Sequence, residues 1–127
     1  MYHGVIIDQE FRDKSFLESF KVFAKKQDGS WGIYGIEVED RQLEEAIKDI
    51  QENMEVDQPW YAHFYNDDKL IVIFKGKVFE IGPHESSWEP VKEYGRELNI
   101  PEEQLDFWPN RFQDERHYFD KEDFKQE

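Results

Sequence analysis

The stretch WYAHFYNDDKLIVIFKGKVFEIG, residues 60–82, decides how this chain folds. Its middle run, Leu70-Ile71-Val72-Ile73-Phe74, is apolar at every position, as a strand covered on both faces must be. Asn66-Asp67-Asp68 before it and Lys75-Gly76 after it are turn residues, and the second pair suits a two-residue hairpin loop. With Asp67-Asp68 and Lys75-Gly76 as the loops, Tyr65 falls opposite Leu70, His63 opposite Val72, and Val72 opposite Phe79. One face of this three-stranded meander then carries Tyr61, His63, Tyr65, Leu70, Val72, Phe74, Phe79 and Ile81. The other carries Trp60, Ala62, Phe64, Ile71, Ile73, Val78 and Glu80. A one-residue bulge in the first loop would swap the faces of the histidine strand.

Upstream, Val5-Ile6-Ile7 reads as a buried first strand, and residues 10–19 as a short helix or turn. Residues 20–25 alternate as a strand with Phe20, Val22 and Ala24 on one face. Gln27-Asp28-Gly29-Ser30 supplies a turn into residues 31–38, where Trp31, Ile33 and Gly35 oppose Tyr34, Ile36 and Val38. The period then changes: Leu43, Ala46, Ile47, Ile50 and Met54 lie on one helical stripe, with Asp40 as the expected N-cap. Downstream of Gly82-Pro83, Ser87 is the expected cap of a second helix with Pro90 at its third position and Trp88, Val91, Tyr94 and Leu98 as its apolar side. Asn99 closes that helix, Pro101 opens a short turn, and Phe107, Trp108 and Phe112 should dock on the body. The expectation is a single α+β domain over residues 1–112, with a charged C-terminal tail over 113–127 whose aromatic residues are too sparse for a core. Its sheet should be largely antiparallel, of five to six strands, with the two main helices packed on one face.

Thirty acidic residues against sixteen basic ones give a net charge of -14. The acidic excess is shared evenly between the halves of the chain, so no acidic tail is appended to a neutral body. Uniform negative charge argues against direct binding to nucleic acid or to an anionic membrane, which need clustered Lys and Arg, and favours a basic protein partner. An aromatic content of 17% opposes disorder. The chain has no cysteine, no apolar run long enough for a membrane span and no secretory pattern at its start, so a cytoplasmic protein is expected. A homodimer through a sheet edge or the tail is left open by the pattern.

Chemistry has few candidates. His63 shares a strand face with Tyr61 and Tyr65, a polar-tipped aromatic set suited to a small planar or cationic ligand. The plainer reading is a sheet histidine satisfied by its neighbours, because catalysis needs a positioned partner. His3, His84 and His117 stand in no metal-binding spacing, so no metal or cofactor is expected. Glu80 joins the candidate ligand set because alternation can aim it into a covered face, where a carboxylate needs a partner or a raised pKa. Asp67-Asp68 lacks the alternate ligands of a calcium loop. No phosphate-binding glycine loop and no G-x-S-x-G elbow occurs.

WYAHFYNDDKLIVIFKGKVFEI, followed by EYGRELNIPEEQLDFWP, resembles a group of small acidic prokaryotic proteins without an assigned activity. The resemblance runs from the first strand to about Glu115, with the rest of the tail outside it. It implies a free-standing bacterial or archaeal domain and supplies no catalytic residue. The functional expectation is therefore a non-enzymatic protein-binding or regulatory domain. The alternative is a small-molecule-binding protein or small enzyme built around Tyr61, His63 and Tyr65.

Overall fold

The turns of the meander form as their residues dictate. Asn66 Oδ1 accepts from the N–H groups of Asp68 (2.9 Å) and Lys69 (2.8 Å), bending the chain over Asp67-Asp68. Phe74 N–H donates to Lys77 O at 2.7 Å across Lys75-Gly76. The register follows: Tyr65 pairs with Leu70, His63 with Val72, Val72 with Phe79 and Leu70 with Ile81. The computed structural model describes residues 1–56, 59–82 and 84–125. Asp57, Gln58 and Pro83, read from sequence as connecting chain, lie outside them, as do the last two residues of the tail.

The strands are β1 (Tyr2–Ile7), β2 (Lys21–Asp28), β3 (Trp31–Val38), β4 (Tyr61–Tyr65), β5 (Leu70–Phe74) and β6 (Val78–Ile81). They form one antiparallel sheet in the order β2-β3-β1-β4-β5-β6. The helices are α1 (Leu43–Asn53), α2 (Glu89–Glu97) and the single-turn α3 (Glu115–Tyr118). Residues 10–19 hold 3₁₀ turns, the longer one at Lys14–Ser19 capped by Asp13. The protein is thus α+β, and among its described residues no helix is long and apolar enough to cross a membrane.

The two main helices do not share a face. Ala46 and Ile50 of α1 pack with Ile6, Ile36, Phe64, Ile71 and Ile73, whereas Trp88 and Val91 beside and within α2 pack with Val5, Ile33, Leu70, Val72 and Phe74 on the other side. The reason lies in the central strands. β1 and β5 are apolar on both faces, and each face must be covered for its burial to stabilise the fold.

Local differences from the sequence reading have similar physical causes. In β2 the register slips between Val22, opposite Ile36, and Ala24, opposite Gly35. Phe23 is the extra residue of this bulge, so Val22 and Ala24 face opposite sides rather than one. Phe23 lies over Gly35, where an added Cβ would stand 2.7 Å from its ring. Asp40 does not cap α1: a 3₁₀ turn (Asp40–Gln42) precedes the helix, and the Asp40 carboxylate pairs with the N-terminal ammonium. Ser87 closes another 3₁₀ turn, donating to His84 O at 2.7 Å, and Trp88 takes the N-cap position of α2. At the other end Asn99 is left-handed (φ 67°) and Ile100 N–H returns to Gly95 O at 3.0 Å, the closure its sequence signals.

The C-terminal segment packs on the sheet. Phe119 is 1% exposed within the α2-side core, Phe124 bridges to Ala24, and Lys125 N–H donates to Phe23 O at 2.9 Å along the β2 edge. Trp108 is the converse case. Expected to dock, it remains 38% exposed while its neighbour Phe107 is buried.

Candidate functional site

Alternation along β4 puts Tyr61, His63 and Tyr65 on the α2 side of the sheet, where residues 101–119 cover them. All three polar tips are engaged. The Tyr61 hydroxyl donates to Gln104 O, and the Tyr65 hydroxyl donates to the Glu115 carboxylate. His63 is 4% exposed, with Nε2 2.6 Å from Pro109 O, so the ring is a donor there. Burial outweighs that hydrogen bond and lowers the His63 pKa to about 4. The imidazole is therefore neutral at pH 7, and its partner is a backbone carbonyl rather than a carboxylate. Burial also holds the Tyr61 and Tyr65 phenols well above their usual range, reinforced at Tyr65 by Glu115.

Glu80 is not with them. Its position opposite Ile71 points it to the other face, at the edge strand β6, where it is 59% exposed and pairs with Lys69 Nζ at 3.0 Å. The covered environment that made it a candidate is not found there: β6 is short, and Val78 and Glu80 on that side are both exposed.

Tyr65 belongs to a separate, structural cluster. Glu115 accepts from Tyr65 and from His3 Nδ1 (2.5 Å), while His3 Nε2 lies 3.2 Å from Glu37 and its ring stacks on Phe23. This cluster ties α3 to the sheet.

Tyr61 and His63 instead face a partly open cavity of about 280 Å³ at the end of the sheet where β1 finishes and β3 and β4 begin. Its aromatic wall is Trp31, Trp60, Tyr61, Trp108 and Tyr118, with Trp31 and Trp60 edge to face at 5.6 Å between ring centroids. Trp60 precedes the first residue of β4, so strand alternation does not bind it to the opposite face expected from sequence. Four carboxylates also line the cavity: Glu10, Asp28, Glu103 and Asp106. Burial, with Asp106, Asp28 and Glu10 adding to it, pushes the Tyr118 phenol up to about 12.

Glu10 is the unusual member. It is 0% exposed, Oε1 accepts from Ile7 N–H at 2.6 Å, and Oε2 has no hydrogen-bond partner among the described residues. Burial raises its pKa well above the usual carboxylate range, against the opposing effect of the Ile7 hydrogen bond. Sequence reasoning passed over Glu10 because it sits in an irregular stretch. The cavity draws on residues from 5 to 118, a grouping that no local spacing encodes. The one signal available was that Trp31 opens β3 and Trp60 immediately precedes β4, which puts both at strand starts, where side chains gather at a sheet end.

No family model matches the chain, and neither does any curated protein or solved structure.

Proposed function

We propose that this chain is a non-enzymatic binding domain that takes a basic protein partner, engaging a cationic group of that partner in the cavity between Trp60 and Trp108. The observation that carries the reading is the lining. Five aromatic rings and four carboxylates converge there, with no Lys or Arg among the described lining residues. Rings and carboxylates together suit a positive group, the rings through their electron-rich faces and the carboxylates through charge. The net charge of -14 adds long-range attraction for a basic surface. Binding rather than catalysis fits the state of His63, neutral and committed to Pro109 O. The volume fits a side chain, since it sits at the lower edge of the roughly 300–1,000 Å³ typical of ligand pockets.

Trp31, Trp60 and Trp108 make their own reporter. Tryptophan fluorescence should change saturably with a lysine–glycine peptide, more weakly at moderate than at low salt, and not with its norleucine counterpart. The Glu103→Gln, Asp106→Asn double variant should bind that peptide less tightly. Equal responses to the lysine and norleucine peptides, or none to either, would remove the proposal.

A further inference from the structure

A fully buried carboxylate oxygen without a donor is rare, because burial strips its water and leaves nothing in exchange. Glu10 Oε2 is such an atom among the described residues; Glu10 lines the cavity but is 0% exposed, so a ligand meets Oε2 only as the side chains that seal it give way. We infer that Glu10 is the recognition residue of this site, and that the group it receives is an organic ammonium carrying at least one N–H, held against Trp31, Trp60, Tyr61 and Trp108. This rests on the cationic reading of the cavity and narrows it to one chemical class.

Three features select the class. Oε1 already accepts from Ile7 N–H, which leaves Oε2 as the oxygen of Glu10 without a donor among the described residues. A guanidinium, whose planar fork is satisfied by two parallel acceptors, is poorly matched to a single oxygen, whereas an ammonium needs only one. The wall is aromatic, which favours a soft organic cation over a metal ion. Among the described residues no group of three His, Asp or Glu could hold a metal. Finally, the orphan atom is an acceptor, so a quaternary ammonium, which has no N–H to give, would leave it unsatisfied.

The surroundings of Glu10 make binding a proton exchange. Tyr61 and His63 from β4, Asp28 from β2, Glu103 and Asp106 from residues 101–109, and Tyr118 from α3 line the same cavity. None of them brings a positive charge at neutral pH. Arg12, two residues along, is turned away, with Nη2 donating to Glu52 O at 2.9 Å. Lys26 packs on the Tyr118 ring at 3.6 Å and donates to Tyr118 O at 2.8 Å. With no Lys or Arg among the described lining residues, burial raises the Glu10 pKa well above the usual carboxylate range and favours the protonated acid in the empty cavity. The incoming ammonium takes the place of that proton: the carboxylic acid releases H⁺ to solvent, and the carboxylate accepts from the ligand N–H.

The experiment is calorimetric titration of the full chain at mildly acidic pH, in two buffers of different ionisation enthalpy. The probes are n-butylammonium, tetramethylammonium, methylguanidinium and the lysine–glycine peptide. The expected result is that n-butylammonium or the lysine peptide binds more tightly than tetramethylammonium and methylguanidinium, with up to one proton released per cation bound. Whichever of the two binds better names the source, a free alkylamine or a lysine side chain. Glu10→Gln should weaken that binding by about 10- to 100-fold, the span set by losing one hydrogen bond to a charged group. If Glu10→Gln does not fold, as near-ultraviolet circular dichroism would show, the proton count on the wild-type chain decides alone. Lysine-peptide binding that is unchanged in Glu10→Gln overturns this inference and leaves the binding-domain reading intact. So does peptide binding without proton release, or tetramethylammonium binding as tightly as n-butylammonium. No binding of any probe overturns both.

Discussion

Two buried titratable residues on one cavity, Glu10 and His63, pull stability in opposite directions with pH. His63 has a folded pKa of about 4, below its ordinary value near 6.5. The unfolded chain therefore takes up a proton that the folded chain excludes, and stability present above pH 6.5 is lost as pH falls towards 4. Fully expressed, that shift corresponds to on the order of 3 kcal/mol. Glu10 has a raised folded pKa, so its contribution is present below the ordinary carboxylate pKa and is lost as pH rises through the folded value. Because the two effects overlap between the carboxylate and imidazole ranges, neither is visible in the wild-type curve alone. Comparison with His63→Gln separates them, since Gln can still donate to Pro109 O without titrating. Urea-unfolding midpoints should show the wild type losing stability relative to His63→Gln on acidification from pH 6.5, with no divergence above it. Parallel curves across that range would mean that His63 protonates freely in the folded state.

At the scale of elements, the sequence was most legible where structure is local. Asn66-Asp67-Asp68 and Lys75-Gly76 bend the chain through their own backbone and side-chain preferences, so the register of β4, β5 and β6 could be read from them. Stripe residues such as Leu43, Ala46 and Ile50 marked α1 for the same reason. What could not be read was set by distant partners. Which face each helix covers depends on the whole sheet, and the bulge at Phe23 depends on β3, because Phe23 occupies the space that Gly35 leaves by having no side chain. Gly35→Ala should therefore destabilise the protein by about 1–3 kcal/mol through overpacking. Phe23 cannot simply swing aside, since it stacks on His3 at 4.2 Å and contacts Phe119 and Phe124. Adding Phe23→Ala, itself destabilising, should cancel most of the Gly35→Ala penalty. A thermal-denaturation cycle giving additive losses would show that the two residues are not in competition for space.

At the scale of the whole molecule, the question is what the last residues do for the rest. Their composition reads as a solvated tail, since Tyr118, Phe119 and Phe124 are the only aromatic side chains in a mostly charged stretch after Phe112. Position changes that reading: Phe119 is buried, Phe124 covers Ala24, and Glu115 receives both His3 and Tyr65. Tyr118 walls the cavity. A chain ending at Phe112 would leave the Tyr65 hydroxyl and the His3 ring without their shared acceptor and expose the α2-side core beside β2. Loss of Phe119 alone should cost about 3–5 kcal/mol, a large part of the roughly 5–15 kcal/mol that holds a typical domain together. The truncated chain should therefore melt at a much lower temperature, or show no cooperative transition, in circular dichroism. It should also bind a hydrophobic dye that the full chain excludes. Tryptophan fluorescence gives a second reading of the same change, because removing Tyr118 opens the cavity that Trp31 and Trp60 line. A truncated chain with an unchanged melting temperature would make residues 113–127 a separable tail, as their charge alone suggests. In that case the cavity would need only the wall that residues 101–109 supply.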